Sequence, residues 1–329
     1  MCREWHGPGE RCAQTTGCPG YEDEIGHSSR LDIGPTSGAT TVSAEMTESA
    51  VLLWSCADQP GIVARVTTRL FELGGNILRA EETLSVADNQ FFLRIHFDTP
   101  GGPVDLDGFR SGFAPLADEL RSEWSIRPME PAQRIAILAS RDPHCLIDLI
   151  GRWRVGDIPA DIAAVVSNHE DTRDIAEGFG IPFHHLPVTP ETKAAQEEKL
   201  DALLEELDVD LVVLARYMQI LSGDFVDRWK WRVINIHHSF LPAFPGARPY
   251  HQAMERGVKL IGATAHYATA DLDDGPIIGQ GVISTSYRDS IEDLIRRGRE
   301  NESQVLAAAV RAHLQHRVIV TGRRTIVFG

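Results

Sequence analysis

The chain has 329 residues, 43% of them hydrophobic and 24% charged, with a formal net charge of −15. That balance suits a globular protein with a real core, and the length suggests two domains. The acid excess argues against a nucleic-acid partner, no apolar run approaches the ~18 residues of a membrane span, and no secretory signal is visible, so a cytoplasmic protein is expected.

Residues 1–47 are rich in Gly, Ser, Thr and charge and show no helical or strand period, so they read as a disordered tail. Cys2, Cys12, Cys18 and His6 lie in it without a Cys-x-x-Cys pair, and no metal site is expected. Met46 precedes the first periodic segment and reads as the true start. Cys56 and Cys145 are expected to be reduced thiols.

The apolar run at 50–55 reads as a buried strand, and Asp58-Gln59-Pro60-Gly61 as a turn. Ile62, Val63, Val66, Leu70, Phe71 and Leu73 recur at helical spacing until Gly74-Gly75-Asn76 stops the helix. Residues 77–86 and 90–97 read as strands about the turn Ala87-Asp88-Asn89. A second helix is expected over 105–123, with Leu106, Phe109, Phe113, Leu116 and Leu120 on one face; Gly108, Gly112 and Pro115 weaken it. A last short strand begins at 124–126. This order predicts a ferredoxin-like βαββαβ domain over 48–128.

A linker from 128 to 131 leads into the second domain, 129–329. Strand patterns at 135–139, 162–166, 184–187, 211–215 and 233–236 alternate with helical patterns at 145–152, 171–179, 192–207 and 224–229. Strands at 261–267 and 277–283 and a long helix over 290–316 follow. Such alternation predicts a doubly wound, Rossmann-like, mostly parallel α/β sheet with helices on both faces. Ligands of such sheets bind beyond the carboxyl ends of the strands, where Asn235 and His237 fall.

The stretch 234–280 carries the chemistry. Asn235-Ile236-His237 ends an apolar run, Ser239-Phe240-Leu241-Pro242 and the loop glycine Gly246 follow, and Asp273-Asp274-Gly275 forms a turn. An amide, an imidazole and a carboxylate suffice to activate water and stabilise an oxyanion. Taken singly, each residue is more simply a cap, a satisfied polar group or a turn. The ordered combination resembles the catalytic segment of the family of formyltransferases and hydrolases that use 10-formyltetrahydrofolate. The resemblance implies Asn235, His237 and Asp273 as catalytic residues, with Ser239 and His266 as supporting groups near the substrate. It also implies a folate lying against 214–221, where Met218, Ile220 and Leu221 match best; plain core packing is the alternative for these three. The pairs His184-His185 and His237-His238 invite a metal reading, but neighbours on a strand point to opposite faces, so none is expected.

The first domain also resembles an ACT module, a small regulatory domain that often binds amino acids, through Asp58-x-Pro60-Gly61 and Gly74-Gly75-Asn76-Ile77. That resemblance implies an effector beside Asp58, Gly61 and Asn76, with glycine or methionine expected, in a homo-oligomer. Within the catalytic family, the transferase acting on glycinamide ribonucleotide holds phosphate on a Gly-rich loop. The matching segment here, residues 139–146, has no glycine, and Asp142 would repel phosphate. Water is then the expected acceptor, which implies the hydrolase branch: 10-formyltetrahydrofolate, a substrate rather than a cofactor, gives formate and tetrahydrofolate. A formyltransferase to an amine acceptor, or an amino-acid sensor on an inactive scaffold, is the competing reading.

Overall fold

A computed structural model describes residues 46–242 and 249–329. The expected tail up to residue 45, with its cysteines and His6, and the loop glycine Gly246 lie outside the described residues. The tail boundary at 47 is corrected: Met46–Thr47 form strand β1, and the Thr47 hydroxyl donates to Glu130 at 2.9 Å.

The chain continues through β2 (Ser49–Ala57), α1 (Ile62–Glu72), β3 (Asn76–Ser85), β4 (Gln90–Asp98), β5 (Val104–Asp105), α2 (Leu106–Leu120) and β6 (Glu123–Pro128). β5, not anticipated from sequence, pairs with β1. The others form an antiparallel sheet in the order β3-β4-β2-β6, the split βαβ winding. Helix α1 buries Ile62, Val66 and Leu70 at four-residue intervals. Helix α2 survives its glycines for local reasons. The Asp105 carboxylate caps it by accepting the Gly108 N–H at 3.0 Å. At Gly112 a Cβ would lie 2.5 Å from the Leu73 side chain, so the glycine lets the two helices close. The core includes Leu52, Trp54, Phe97 and Phe113, all fully buried. Trp54 meets Phe113 and Trp124 at 6.2 and 6.3 Å between ring centroids.

The remaining elements are β7 (Gln133–Ala139), α3 (His144–Arg154), β8 (Ala160–Ser167), α4 (Arg173–Gly178), β9 (Phe183–His185), α5 (Lys193–Glu206), β10 (Leu211–Ala215), α6 (Gly223–Arg228) and β11 (Val233–His237). After them come α7 (Pro249–Glu255), β12 (Leu260–Tyr267), β13 (Ile277–Ser284), α8 (Ile291–Leu314), β14 (Val318–Thr321) and β15 (Arg324–Val327). Among the described residues the main sheet runs β13-β12-β11-β10-β7-β8-β9. It is parallel from β11 to β9; only β12 and β13 join antiparallel. The continuous apolar runs of β7 and β10 reflect burial on both faces. Ile135, Ile137, Leu211 and Val213 enter one core with α3 and α8, while Ala136, Leu138, Val212 and Leu214 enter another with α5. Cys56 and Cys145 are buried free thiols.

The long helix stops at Leu314, two residues short of expectation, and α7 and the hairpin β14–β15 were not anticipated. The first sheet marks the stop. Buried Arg94 of β4 donates to the carbonyls of Gln315 and His316, both at 2.9 Å, and to Glu81 at 3.0 Å. A cation there serves carbonyls that the helix leaves without donors.

Candidate active site

The chain winds from β7 outward to β9, then returns to place β10 and β11 on the other side of β7. Beside this reversal, at the carboxyl ends of β10 and β11, a cleft of about 410 Å³ opens. Its walls are the segment after β10, the end of β11, His266 and the turn carrying Asp273.

Register brings the polar groups together. Asn235 of β11 is directly opposite His266 of β12, with Nδ2 3.2 Å from the ring Nε2. The ring's Nδ1 sits 2.9 Å from the Tyr267 carbonyl. A carbonyl only accepts, so Nδ1 carries the proton; in the neutral ring Nε2 then accepts from the Asn235 amide. That contact fixes which way the amide points.

His237, the last residue of β11, places Nδ1 3.2 Å from Asp273 Oδ2. The neutral ring therefore keeps its proton on Nδ1 and a lone pair on Nε2. Nε2 is buried and has no hydrogen-bond partner among the described residues. Asp273 Oδ1 also faces His266 Nε2, at 3.8 Å. The hydrogen bond from His237, and after it the neighbouring His266 ring, hold the Asp273 carboxyl far below the usual carboxylate range. Such a carboxylate stays ionised at neutral pH and is a weak base. Its backbone is left-handed, with φ of 55°, a conformation Asp tolerates. Gly275, two residues on, is sterically required: a Cβ would sit 1.7 Å from the Tyr267 carbonyl oxygen.

The apolar lip is real. Met218 and Ile220 are 59% and 58% exposed, so core packing does not explain them, and with half-buried Leu221 they line the cleft. The Ser140 hydroxyl accepts the Met218 N–H at 3.1 Å and donates to Asn168 at 2.6 Å, anchoring the lip to β7.

Several expectations change. Ser239 is buried and is not among the residues lining the cleft; its carbonyl accepts the Thr264 hydroxyl at 2.9 Å, which ties it to β12. The His237 and His238 rings do not point to opposite faces. Their centroids are 5.0 Å apart, because the strand ends at His237. His184 and His185 lie on β9, at the far edge of the sheet. Asp142 is not a bare negative charge, being paired with Arg299 at 3.1 Å and Arg216 at 3.6 Å. Asp58 and Gly61 do not meet Asn76 within one chain. Asn76 pairs with Asp98, whereas the Asp58 N–H reaches the Asn89 carbonyl at the other end of β4. A ten-residue strand separates the two ends, about 30 Å at ~3.3 Å per residue.

Arg216 and His238 line the cleft and were not singled out as site residues; the doubled histidine and an arginine directly after an apolar strand were the available signals. Burial, then the charge of Arg216, pushes His238 down to about 4, so it is neutral at pH 7. Behind them lies fully buried Glu302, which accepts from the Tyr250 hydroxyl at 2.6 Å and His144 Nε2 at 2.9 Å, with Arg216 Nε 3.4 Å away. Burial alone would raise this carboxyl, but His144, Arg216 and Tyr250 outweigh it and hold it low. Cys145 stands beside this group with ligand-like spacing, but burial pushes its thiol up, against the thiolate a metal needs. With Glu302 already engaged, the cluster reads as a polar network behind the cleft wall.

Comparison with known proteins places this geometry. The formyl transferase family model matches residues 133–310. A formyltetrahydrofolate deformylase of Synechocystis sp. is 49% identical over 85% of this chain and 98% of its own length. The crystal structure of a formyltetrahydrofolate deformylase from Pseudomonas syringae pv. tomato superposes with a TM-score of 0.82 at 45% identity, covering 88% of this chain and 97% of that one. A glycinamide ribonucleotide transformylase from Symbiobacterium toebii reaches a TM-score of 0.57 at 34% identity and covers 60% of this chain.

Proposed function

This chain belongs to the formyltetrahydrofolate deformylases, within the formyl transferase family, and from that premise we propose that its cleft hydrolyses 10-formyltetrahydrofolate to formate and tetrahydrofolate. The observation that carries this reading is the His237–Asp273 pair, which leaves a buried Nε2 lone pair on a residue that lines the same cleft as the oriented Asn235 amide. His237 Nε2 takes a proton from the attacking water as the new C–O bond forms. Asn235 donates to the oxyanion that develops on the formyl oxygen. His237 then returns the proton to the folate nitrogen as the C–N bond breaks. Two roles were open for Asp273, proton acceptor and holder of the imidazole tautomer. The second is favoured, because a carboxyl held so low accepts protons poorly. The pterin lies along Met218, Ile220 and Leu221, a surface otherwise left apolar and exposed.

Residues 48–128 act in this reading as an ACT-like regulatory domain and 129–329 as the catalytic domain. Edge strand β3, exposed along most of its length and carrying Ile77, Leu78 and Leu84, pairs with a second copy in a homo-oligomer. Glycine or methionine binds where Asp58 and Gly61 of one copy meet Asn76 of another, an arrangement favoured by their separation within one chain. The enzyme works in the cytoplasm and supplies formate to one-carbon and purine metabolism. Formate release from 10-formyltetrahydrofolate, with and without an amine acceptor, tests the reaction. Turnover that requires the amine would replace the hydrolase by a transferase, and no turnover in either case would favour a sensor.

A further inference from the structure

A second cleft, of about 470 Å³, opens between the two sheets and shares none of the polar groups of the first. β2 and β6 form one wall, and the turn before β11, the end of β12, the end of α8 and β14 form the other. Half-buried Trp124 and Trp231 supply flat apolar surface. Arg127 and Lys230 line it without an ion pair among the described residues; Lys230 lies over the Trp231 ring, 5.3 Å from its centroid. Of the lining side chains, three are cationic (Arg127, Lys230, Arg232) and two are carboxylates (Glu123, Asp210), which leaves one positive charge over. Trp54, at the same cleft, has an indole N–H with no acceptor among the described residues.

Tyr267 joins this cleft to the catalytic one. Its ring lines the second cleft, edge-on to Trp231 at 5.9 Å, and its hydroxyl lies 2.8 Å from His313 Nδ1. Its carbonyl is the acceptor that fixes the His266 tautomer, and His266 in turn orients Asn235. One residue thus has its side chain at one cleft and its carbonyl on a histidine that lines the other.

We propose that the cleft between the sheets is a binding site for a small organic monocarboxylate with a flat apolar body, and that its occupancy is read at the catalytic centre through Tyr267. The body stacks between Trp124 and Trp231, a volume and surface typical of small-ligand sites. The carboxylate meets Arg127 and Lys230. Three cations over two carboxylates suit one negative charge better than a phosphate dianion. A ligand pressed on the Tyr267 ring displaces the carbonyl that sets His266, so binding changes kcat without contact with the substrate. The coupling rests on the deformylase reading, but the binding does not.

The test uses 3-phenylpropionate as the probe and 3-phenylpropanol as its uncharged counterpart, with the full chain. Calorimetry and tryptophan fluorescence report binding, and formate release reports coupling. The acid is expected to bind and quench, the alcohol to bind at least ~10-fold more weakly, and exposed Arg127→Gln to weaken the acid by a similar factor. Saturation is expected to change kcat by ~5-fold or more, in a pattern not competitive with the folate. Lack of binding, binding indifferent to Arg127→Gln, competition with the folate, or binding that leaves kcat unchanged overturns the proposal. The deformylase reading stands or falls separately, on formate release without any probe.

Discussion

Replacing Asp273 by Asn tests the catalytic pair most directly. The change keeps shape and removes the charge that holds His237 Nδ1–H at 3.2 Å. If the new amide turns its NH2 toward His237, Nδ1 becomes the acceptor and the ring proton moves to Nε2, where the lone pair is needed. If it turns its oxygen there, the tautomer survives but the imidazolium formed during turnover loses its counter-charge. The first arrangement matches the ~10⁴-fold loss typical of a wrong-tautomer histidine, and the second a loss nearer ~10². A fall in kcat between these limits is expected, about 3–5.5 kcal/mol of barrier at ~1.4 kcal/mol per decade. The lost charge-assisted hydrogen bond is worth ~1.5–3 kcal/mol of stability. For a chain of this size, at ~2.1 cal/mol/K per residue, that lowers Tm by roughly 2–5 °C and leaves the fold intact. Steady-state formate release and a thermal melt measure the two effects. A mutant that folds and turns over at near-normal kcat would refute the assignment.

Asn235→Ala is expected to lower kcat by ~10²–10³ with little change in KM, as for loss of one oxyanion donor; a rise in KM alone would make Asn235 a binding residue. Gly275→Ala should reduce turnover by at least ~10-fold while folate binding persists, because its methyl group displaces the Tyr267 carbonyl that sets His266; unchanged kcat would show that this carbonyl is not needed. Stability should decline in mild acid. Burial first, and neighbouring positive charges after it, push His313 down to about 3, and His316 and His238 to about 4. Unfolded, each titrates near ~6.5. Between those values the unfolded chain binds more protons, so stability is lost as pH falls from ~6.5 toward ~4. His313→Gln should flatten that slope in melts taken across the window; an identical slope would mean that His313 does not contribute.

That Asn235, His237 and Asp273 share one cleft was legible because they follow strong local signals: an apolar strand that ends at His237 and a turn that begins at Asp273. Sequence order then supplied the combination. Its precise geometry was not legible, since the Tyr267 carbonyl, Gly275 and His266 meet only through packing between β12 and the following turn. The burial of Ser239 was not legible, because spacing after a strand does not say which way the chain turns next. The same limit separated Asp58 from Asn76. Two motifs flanking one helix look adjacent in sequence, yet the helix carries them to opposite ends of the sheet. The hairpin β14–β15 was missed because each strand is only four residues long and follows closely on the helix.

Arg94 bears on how such a protein can be cut and recombined. It reaches from the first sheet to the last turn of α8, while Arg324 of the terminal hairpin pairs with Asp88 and Arg79 reaches the Gly329 carbonyl. The final residues of the chain thus belong physically to its beginning. A shortened version starting at the linker would strand the Gln315 and His316 carbonyls without their donor and bare Trp231 and Tyr267 to solvent. A chimaera spliced at the same point would mismatch the two ends unless the end of α8 and the hairpin came from the same parent as the first sheet. The exchangeable cassette is therefore discontinuous: an N-terminal sheet together with a C-terminal clasp, with the catalytic strands inserted between them.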